Sequence, residues 1–361
     1  MTIALTRRQV LDLRLRAQQL DRDAGTVADT ALLDIGVQDT GADGALWALA
    51  LRGVERPPPG ELATVWTIRG APHVYRRTDL AGVATATAPF SDADAGKRIF
   101  DASKPLKAAG IPNLAALDAV ADAMRSIVTA PMVKGEMSTR LTAVLPDPYL
   151  RFCRPCNAVH TYEQPFRLAA LRAGLELEPG TSPPVLRPVP GLEPATEVPQ
   201  RLDVVRAYLR LLGPATPQHV AGYLDAPVAD VKARWPEDAV EVSLDGERRW
   251  LLEADVERLA APAPAGTRLL APFDLYLQAR DRPLLVADAD RAKDLWRTLG
   301  RPGGVLSDGE LAGTWRARKA GASLTVSVEL WTPVDRERLA AQAVLLAGFR
   351  GLPLASLAVL P

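Results

Sequence analysis

The strongest constraint on the fold is a local pattern, clearest over residues 201–252, of three short helices followed by two strands. The stretches "RLDVVRAYLRLLG", "TPQHVAGYL" and "PVADVKARW" each predict a helix. The first has an apolar stripe along one face, and Gly213-Pro214 predicts its end. The hairpin "VEVSLDGERRWLL" follows, with Asp245-Gly246 at its tip, a pair typical of two-residue turns.

The same order is predicted twice earlier in the chain. The first occurrence begins with the capping box of Thr6 and Gln9, continues through "TVADTALLDIG" and "DGALWALALRG" with Asp43 as an N-cap, and ends in the hairpin "ATVWTIRGAPHVYRR". The second consists of "NLAALDAVADAMRSIV", "KGEMSTRLTAVL" and "PYLRFCRPCNAVHTY" as helices, with "FRLAALRAGLELE" as a strand-like return. Three helices and a hairpin are the element order of a winged helix.

The sequence pattern changes after about residue 263, where predicted short strands alternate with Gly and Asp turns before the helix "DRERLAAQAVLLAGFRG". We therefore predict an α+β fold of three tandem winged-helix units followed by a small C-terminal β-barrel or sheet with a terminal helix. The predicted boundaries are winged helices at 1–88, 89–180 and 199–262, a Pro-rich linker at 181–198, and the barrel with its helix at 263–361.

Composition excludes several classes of protein. Lys+Arg and Asp+Glu are 43 each, which argues against non-specific coating of nucleic acid but allows a local basic face. The absence of a long apolar run predicts no membrane span, and the N-terminus lacks the order of a signal peptide, so we expect a cytoplasmic, nucleoid-associated location. Two cysteines cannot form a disulfide framework.

Several motifs in a fixed order resemble one known family over nearly the whole chain. They are "VVRAYLRLLGPATPQHVAGYL", "DGERRWLL", "RLLAPFDLYLQARDR" and "VLSDGELAGTW", preceded by "GVQDTGADGALWALALRG" and "WTIRGAPHVY". Together they resemble the winged-helix DNA glycosylases of the AlkZ/YcaQ type. The resemblance implies a DNA-binding concavity and double-stranded DNA with alkylated bases as the partner. It also implies base excision repair by a monofunctional, cofactor-free enzyme, which we expect to be a monomer. Its implied reaction is removal of N7-alkylated purines, including bulky or crosslinked adducts, to leave an abasic site.

The resemblance also implies a catalytic position. The family has Gln, an intervening residue, then Gln or Asp at the start of the third helix of its first winged helix. Alignment back from "ALWAL" without gaps places Gln38 and Thr40 on these positions, whereas a small gap makes Gln38 the second and leaves Asp39 beside it. An amide or hydroxyl can orient water, and Asp39 can stabilise a sugar cation or activate water. The structural alternative is a turn in which Asp39 or Thr40 caps backbone amides.

Basic residues at two other places are candidate DNA contacts. Arg69 and His73 match an Arg-Gly-x-x-His of the family and could hold a phosphate or line the lesion pocket. The alternative is a hairpin in which both side chains satisfy buried carbonyls. Arg316, Arg318 and Lys319 lie on a predicted hairpin and are possible phosphate contacts, with a solvated loop as the alternative.

The stretch "CRPCNAVH" is compatible with three zinc ligands, Cys153, Cys156 and His160. A fourth ligand would have to come from elsewhere, such as His73, His219 or Glu163. Without a second cysteine pair the motif is weak, and we interpret the cysteines as two semi-buried thiols on a helix, so that no metal is expected. Two functions therefore compete with the glycosylase: a non-catalytic winged-helix regulator or damage sensor, and a metal- or redox-sensing protein that uses these thiols.

Overall fold

The computed structural model describes residues 3–41, 44–260 and 266–360. The fold consists of two compact units, each built from segments that are distant in sequence. Unit 1 comprises Met1–Pro57, Ala207–His219 and Pro236–Pro361, and unit 2 comprises Pro58–Arg206 and Val220–Trp235.

The α-helices are α1 Arg7–Ala17, α2 Gly44–Ala50, α3 Leu80–Ala86, α4 Asp92–Arg98, α5 Ser103–Ala108, α6 Asn113–Ile127, α7 Lys134–Val144, α8 Glu163–Ala170, α9 Val204–Leu212, α10 Pro217–Leu224, α11 Val228–Lys232, α12 Arg282–Leu285, α13 Ala289–Leu295 and α14 Arg336–Phe349. No helix within the described residues is both long and apolar enough to cross a membrane.

The strands are β1 Ile3–Leu5, β2 Val37–Gln38, β3 Leu62–Trp66, β4 Pro72–Arg76, β5 Met132–Val133, β6 Leu150–Cys153, β7 Ala158–Thr161, β8 Leu175–Leu177, β9 Val185–Pro188, β10 Ala239–Leu244, β11 Glu247–Leu252, β12 Thr267–Leu270, β13 Gly303–Ser307, β14 Glu310–Ala320, β15 Ser323–Leu330 and β16 Leu354–Leu360.

Unit 1 contains two sheets. In the larger, the strand order is β12-β13-β14-β15-β16, antiparallel except for the last pair, which is parallel because α14 connects β15 to β16. The buried side chains of Leu339, Ala343 and Leu346 recur at helical spacing along α14 and form its apolar face. In the smaller sheet, β1 pairs in parallel with β10 of the β10–β11 hairpin.

Unit 2 is organised around a sheet in which β4, β3, β8, β9 and β5 are successive antiparallel neighbours. Its core contains Leu117, Val120 and Met124 from α6, and Phe166 from α8 packs against Trp66 of β3 with ring centroids 5.8 Å apart. Complete burial of each such side chain contributes on the order of 2 kcal/mol.

Several local predictions are confirmed. Thr6 and Gln9 form the predicted capping box of α1. The β3–β4 and β10–β11 hairpins form as expected, and Asp245 and Gly246 both have positive φ, as their two-residue turn requires. Helix α9 ends at Leu212, directly before Gly213-Pro214. The predicted N-cap Asp43 lies outside the described residues, as does the 262/263 boundary.

Two predictions around residues 148–178 are wrong. The stretch "PYLRFCRPCNAVHTY" forms the hairpin β6–β7 rather than a helix, because Pro155 interrupts the helical pattern and Asn157 adopts φ 48° in the turn. The stretch after it begins with helix α8, and only its end, Leu175–Leu177, is a strand. The apolar residues of this stretch fit either period, and packing against the core decides for the helix.

The predicted barrel also requires correction. Within the described part of the chain no sheet is closed, and the β12–β16 sheet is open, with β12 and β16 at its edges. Helix α14 is not the last element, because β16 follows it and pairs with β15. A parallel strand needs a crossover connection, and α14 provides one.

Candidate functional site

In unit 1, the side chains of Gln38, Asp39 and Thr40 point in two directions. The Gln38 amide donates from Nε2 to Thr40 Oγ1 at 3.1 Å, so these two polar groups lie together. The Asp39 carboxylate instead accepts the backbone N–H of Ala45 at 2.9 Å, in the first turn of α2. All three residues are half-buried. Asp39 and Thr40 follow the two-residue strand β2, and their polar groups have different partners.

The contact of Asp39 with α2 explains a glycine at the start of that helix. Gly44 has φ +50°, and a Cβ added there would meet Asp39 Oδ1 at 2.0 Å. A larger residue would therefore displace the carboxylate that caps the helix. Asp39 thus has the geometry of a capping residue.

Gln278 is a site residue that sequence reasoning missed. It ends the 3₁₀ helix Leu275–Gln278, and its Nε2 donates to Gln38 Oε1 at 3.4 Å and to the carbonyl of Phe273 at 3.4 Å. The side-chain amide of Gln38 is therefore engaged at both ends, by Gln278 and by Thr40. The signal in the sequence was the motif "RLLAPFDLYLQARDR", which supported the family resemblance without assigning a role to Gln278.

A buried ion pair fixes the short helix that carries Gln278. The Arg52 guanidinium donates to both carboxylate oxygens of Asp274, at 2.8 and 3.0 Å, and both side chains are 0% exposed. Asp274 also accepts the backbone N–H of Tyr276 at 3.0 Å and so caps the 3₁₀ helix. Arg52 lies two residues after the end of α2, and Asp39 contacts the first turn of that helix. The ion pair therefore connects the end of α2 to the short helix that carries Gln278.

A second buried cluster anchors the chain just beyond Gln278. Asp281 accepts from Arg14 of α1 at 3.0 and 2.7 Å and is also paired with Arg249 of β11. Burial acts to raise the pKa of Asp281, but the two guanidinium groups outweigh it and lower that pKa to about 2. The carboxylate is therefore ionised at neutral pH and joins three segments of unit 1.

A series of contacts connects the Gln38 site to the half-buried Arg301 and the exposed Arg316. The guanidinium of Arg301 lies over the Phe273 ring at 4.5 Å, and Phe273 accepts the Gln278 amide. Arg316 donates to the carbonyl of Gly300, next to Arg301, at 2.7 Å. A series of contacts thus runs from Arg316, a predicted DNA contact, to Gln38. It passes through Gly300, Arg301, Phe273 and Gln278.

The three predicted contacts of the C-terminal sheet all lie on β14 and are exposed. Arg316 and Arg318 are two residues apart and share one face of the strand, whereas Lys319 lies on the other face. Arg316 and Arg318 therefore form a basic pair on one face of β14, apart from Lys319 on the other face.

In unit 2, Arg69 is held by the protein itself. It adopts φ 58° within the 3₁₀ turn Ile68–Gly70, donates to the carbonyl of Tyr223, and its guanidinium lies 5.0 Å from the centre of the Tyr223 ring. A non-glycine residue at positive φ costs roughly 1 kcal/mol or more, which these contacts offset. This is the arrangement expected if the Arg69 side chain satisfies a carbonyl of the protein rather than holding a DNA phosphate.

His73 is buried, with 1% exposure, and its Nδ1 lies 3.0 Å from the carbonyl of Ala71 and 3.2 Å from Thr67 Oγ1. Because a carbonyl can only accept, Nδ1 carries the proton. Burial, together with the charge of Arg69, lowers the pKa of His73 to about 3, so the ring is neutral. His73 therefore lies on β4 with its side chain in the protein interior, beside Tyr75.

The three predicted metal ligands lie at the tip of the β6–β7 hairpin, where one ligand atom from each of Cys153, Cys156 and His160 lies within 4.8 Å of the others. The backbone N–H of Cys156 is the largest cause that lowers the pKa of Cys153, to about 7. The interaction with Cys153 raises the pKa of Cys156. The thiols therefore lie on a hairpin and not, as predicted, on a helix: the half-buried Cys153 ends β6, and the exposed Cys156 lies in the turn.

Comparison with known proteins gives a family and a fold. The model of the AlkZ-like DNA glycosylase family matches residues 36–349 of the chain. The structure of the Streptomyces sahachiroi DNA glycosylase AlkZ is similar, with a TM-score of 0.75, 21% sequence identity, and coverage of 99% of this chain and 100% of that one. At this identity the likeness establishes the fold. No curated protein matches the chain in sequence.

Proposed function

Because the chain belongs to the AlkZ-like DNA glycosylase family, we propose that it hydrolyses the N-glycosidic bond of N7-alkylated purines in double-stranded DNA, and that Gln38 is central to the reaction. The observation that carries this assignment is the position of the Gln38 amide, held between Thr40 and Gln278 in unit 1. A preorganised amide loses little freedom when it binds a reacting group.

The proposed reaction needs little acid catalysis. An N7-alkylated purine is cationic, so when the C1′–N9 bond breaks its electron pair neutralises the departing base. Water forms the new C1′–O bond and loses its proton to solvent, which leaves an abasic site. The enzyme has to stabilise the oxocarbenium-like sugar and position the water, and the amide oxygen of Gln38 and the hydroxyl of Thr40 are suitable acceptors.

We assign different roles to the three residues of the predicted triplet. Gln38 and Thr40 contact the water, because their polar groups lie together. Asp39 positions α2 through its bond to the Ala45 amide and takes no part in proton transfer. Gln278 is a positioning residue that holds Gln38.

The wider arrangement is also part of the proposal. The helix-helix-helix-strand-strand order of α9, α10, α11, β10 and β11 supports a winged helix over residues 199–262. The order of α1, the 3₁₀ helix Ala31–Asp34, α2, β3 and β4 supports another over residues 1–88, with the 3₁₀ helix in place of the predicted second helix. We propose that the protein acts as a monofunctional, cofactor-free monomer on DNA in the cytoplasm, with Arg316 and Arg318 at phosphates.

The test measures release of N7-methylguanine, and the abasic sites formed, from duplex DNA. We expect the wild type to release the base and Gln38→Ala to be slower by about 100-fold, the loss typical of one electrostatic contact in an active site. Gln9→Ala, which removes a capping amide of α1, is the matched control and should retain activity.

The outcomes separate the function from the residue assignment. Full activity of Gln38→Ala would reject the assignment of Gln38 but leave the glycosylase intact. A wild type that binds DNA and yields no abasic sites from N7-methylguanine or a bulky N7 adduct would reject the enzyme and favour a non-catalytic DNA-binding regulator or damage sensor.

A further inference from the structure

The β6–β7 hairpin of unit 2 brings two thiols and an imidazole together without using them in the site described above. Cys153 pairs with Ala158 and Arg151 with His160, so Cys153 and His160 lie on the same face of the hairpin. Cys156 is exposed in the connecting turn. One ligand atom from each of the three lies within 4.8 Å of the others.

These separations are close to those of a metal site. Tetrahedral zinc with ordinary Zn–S and Zn–N bonds requires about 3.8 Å between two sulfurs and about 3.5 Å between sulfur and nitrogen. The ligand atoms therefore need to close by at most about 1.3 Å, which side-chain rotation of the exposed Cys156 and the half-buried Cys153 can supply.

The orientation of His160 also favours a ligand. Its Nδ1 lies 2.8 Å from the carbonyl of Thr161. Since that oxygen can only accept, Nδ1 carries the proton and the lone pair is on Nε2. Metal-binding histidines typically donate their other N–H to a carbonyl or carboxylate in this way, which fixes the tautomer and the ring.

The hairpin is exposed to solvent at its tip. It is a two-stranded sheet, and such hairpins are marginally stable alone. Residues 154–159 are exposed, and so is the apolar side chain of Phe152. A metal that joins β6, the turn and β7 would supply the missing cross-link, because ligands brought together by folding convert binding energy into stability.

Ligand type selects the metal. Thiolate and imidazole suit Zn²⁺, whereas Mg²⁺ and Ca²⁺ prefer oxygen. The carboxylate of Glu163, three residues after His160, is engaged by Lys134 at 2.7 Å and by Arg167 at 2.6 Å, and among the described residues the cluster contains no fourth His, Cys, Asp or Glu ligand. We propose that Cys153, Cys156 and His160 bind one Zn²⁺ ion, with water as the fourth ligand, and that the ion stabilises the β6–β7 hairpin.

The test uses the full-length chain, reduced, stripped with a chelator and reloaded with Zn²⁺ or Co²⁺ alone. We expect one metal ion per chain, and for Co²⁺ the thiolate charge-transfer absorption and the intense visible bands of a tetrahedral site. Cys153→Ser, Cys156→Ser and His160→Gln should each weaken binding by at least about 100-fold, the upper end of the loss seen for outer-shell partners. His219→Gln is the matched control and should bind as the wild type does.

A second measurement places the ion. Zn²⁺ should slow amide hydrogen exchange across residues 150–161 in the wild type and not in Cys156→Ser. Because Cys153 and Cys156 are the two cysteines of the chain, sulfur absorption in the wild-type cobalt spectrum identifies the thiolate ligands, so a variant that fails to fold does not obscure the result. The proposal is rejected if the reduced wild type takes up neither metal, if its cobalt spectrum lacks sulfur absorption, or if Zn²⁺ leaves exchange in this segment unchanged.

Discussion

Arg52 and Asp274 form an ion pair that is closed off from solvent and hydrogen-bonded at both carboxylate oxygens, with 0% exposure of either side chain. Arg52 also donates to the carbonyls of Gln18 and Ala48, each at 2.7 Å. The pair thus joins α1, α2 and the short helix that ends in Gln278, and it sets the position of the amide that contacts Gln38.

Asp274→Ala should lower the free energy of unfolding by about 3–5 kcal/mol, because it leaves a buried guanidinium without its partner. Chemical denaturation measures this directly. Asp23→Ala is the matched control, since Asp23 pairs with Arg268 but is 94% exposed, and it should cost less than about 1 kcal/mol. Equal losses in the two variants would contradict the assigned role of burial.

Substitution of Asp39 separates capping from catalysis. Asp39→Asn should retain base release within a few-fold, because an amide oxygen can still accept the Ala45 N–H. Asp39→Ala should lower stability by about 1 kcal/mol. Loss of activity in Asp39→Asn would show instead that the carboxylate takes part in the chemistry.

Thr40→Val, which keeps the shape but removes the hydroxyl, should slow base release while leaving the melting temperature near that of the wild type.

His73 predicts a pH dependence of stability. Its pKa in the folded protein is about 3, below the ordinary 6.5, so the folded state binds the proton less well than the unfolded state. The contribution is fully present above pH 6.5 and is lost as the pH falls toward 3. Between pH 7 and pH 5 the loss amounts to about 2 kcal/mol.

His73→Asn is the variant that isolates this term, because Asn retains a donor near the position of Nδ1 but does not titrate in this range. Unfolding free energies of both proteins at pH 7, 6 and 5 provide the measurement. We expect the wild type to lose about 2 kcal/mol more than the variant between pH 7 and pH 5. Parallel pH profiles would mean that His73 is not held neutral by burial.

Removal of Arg316 or Arg318 tests the basic face of β14. If each neutralises one phosphate, Arg316→Ala and Arg318→Ala should each reduce the slope of log affinity for duplex DNA against log salt by about 0.9. Lys319→Ala, on the opposite face of the strand, shows which face binds. Arg125→Ala is the control, an exposed arginine of α6 that pairs with Asp122. An unchanged slope for both β14 arginines would exclude this face as a DNA contact.

The local sequence pattern was sufficient to predict those structural features that depend on a single short segment. The capping box of Thr6, the Asp245-Gly246 turn and the end of α9 need only the residues that form them. The family also followed from motif order, and the family model confirms it over residues 36–349. The barrel and the helix over residues 148–162 were wrong because strand closure and the choice between helix and hairpin depend on packing that a short window does not contain.

The sequence by itself thus determined the family and most helices and hairpins, and it predicted Gln38 as a catalytic candidate. Tertiary structure decided which neighbours Gln38 has: Thr40 at its side, Gln278 from 240 residues later, and Asp39 turned toward α2. It also brought Cys153, Cys156 and His160 to one end of a hairpin. The physical reason is that side-chain direction and long-range contact follow from backbone geometry and core packing, and neither is encoded at the position of the residue itself.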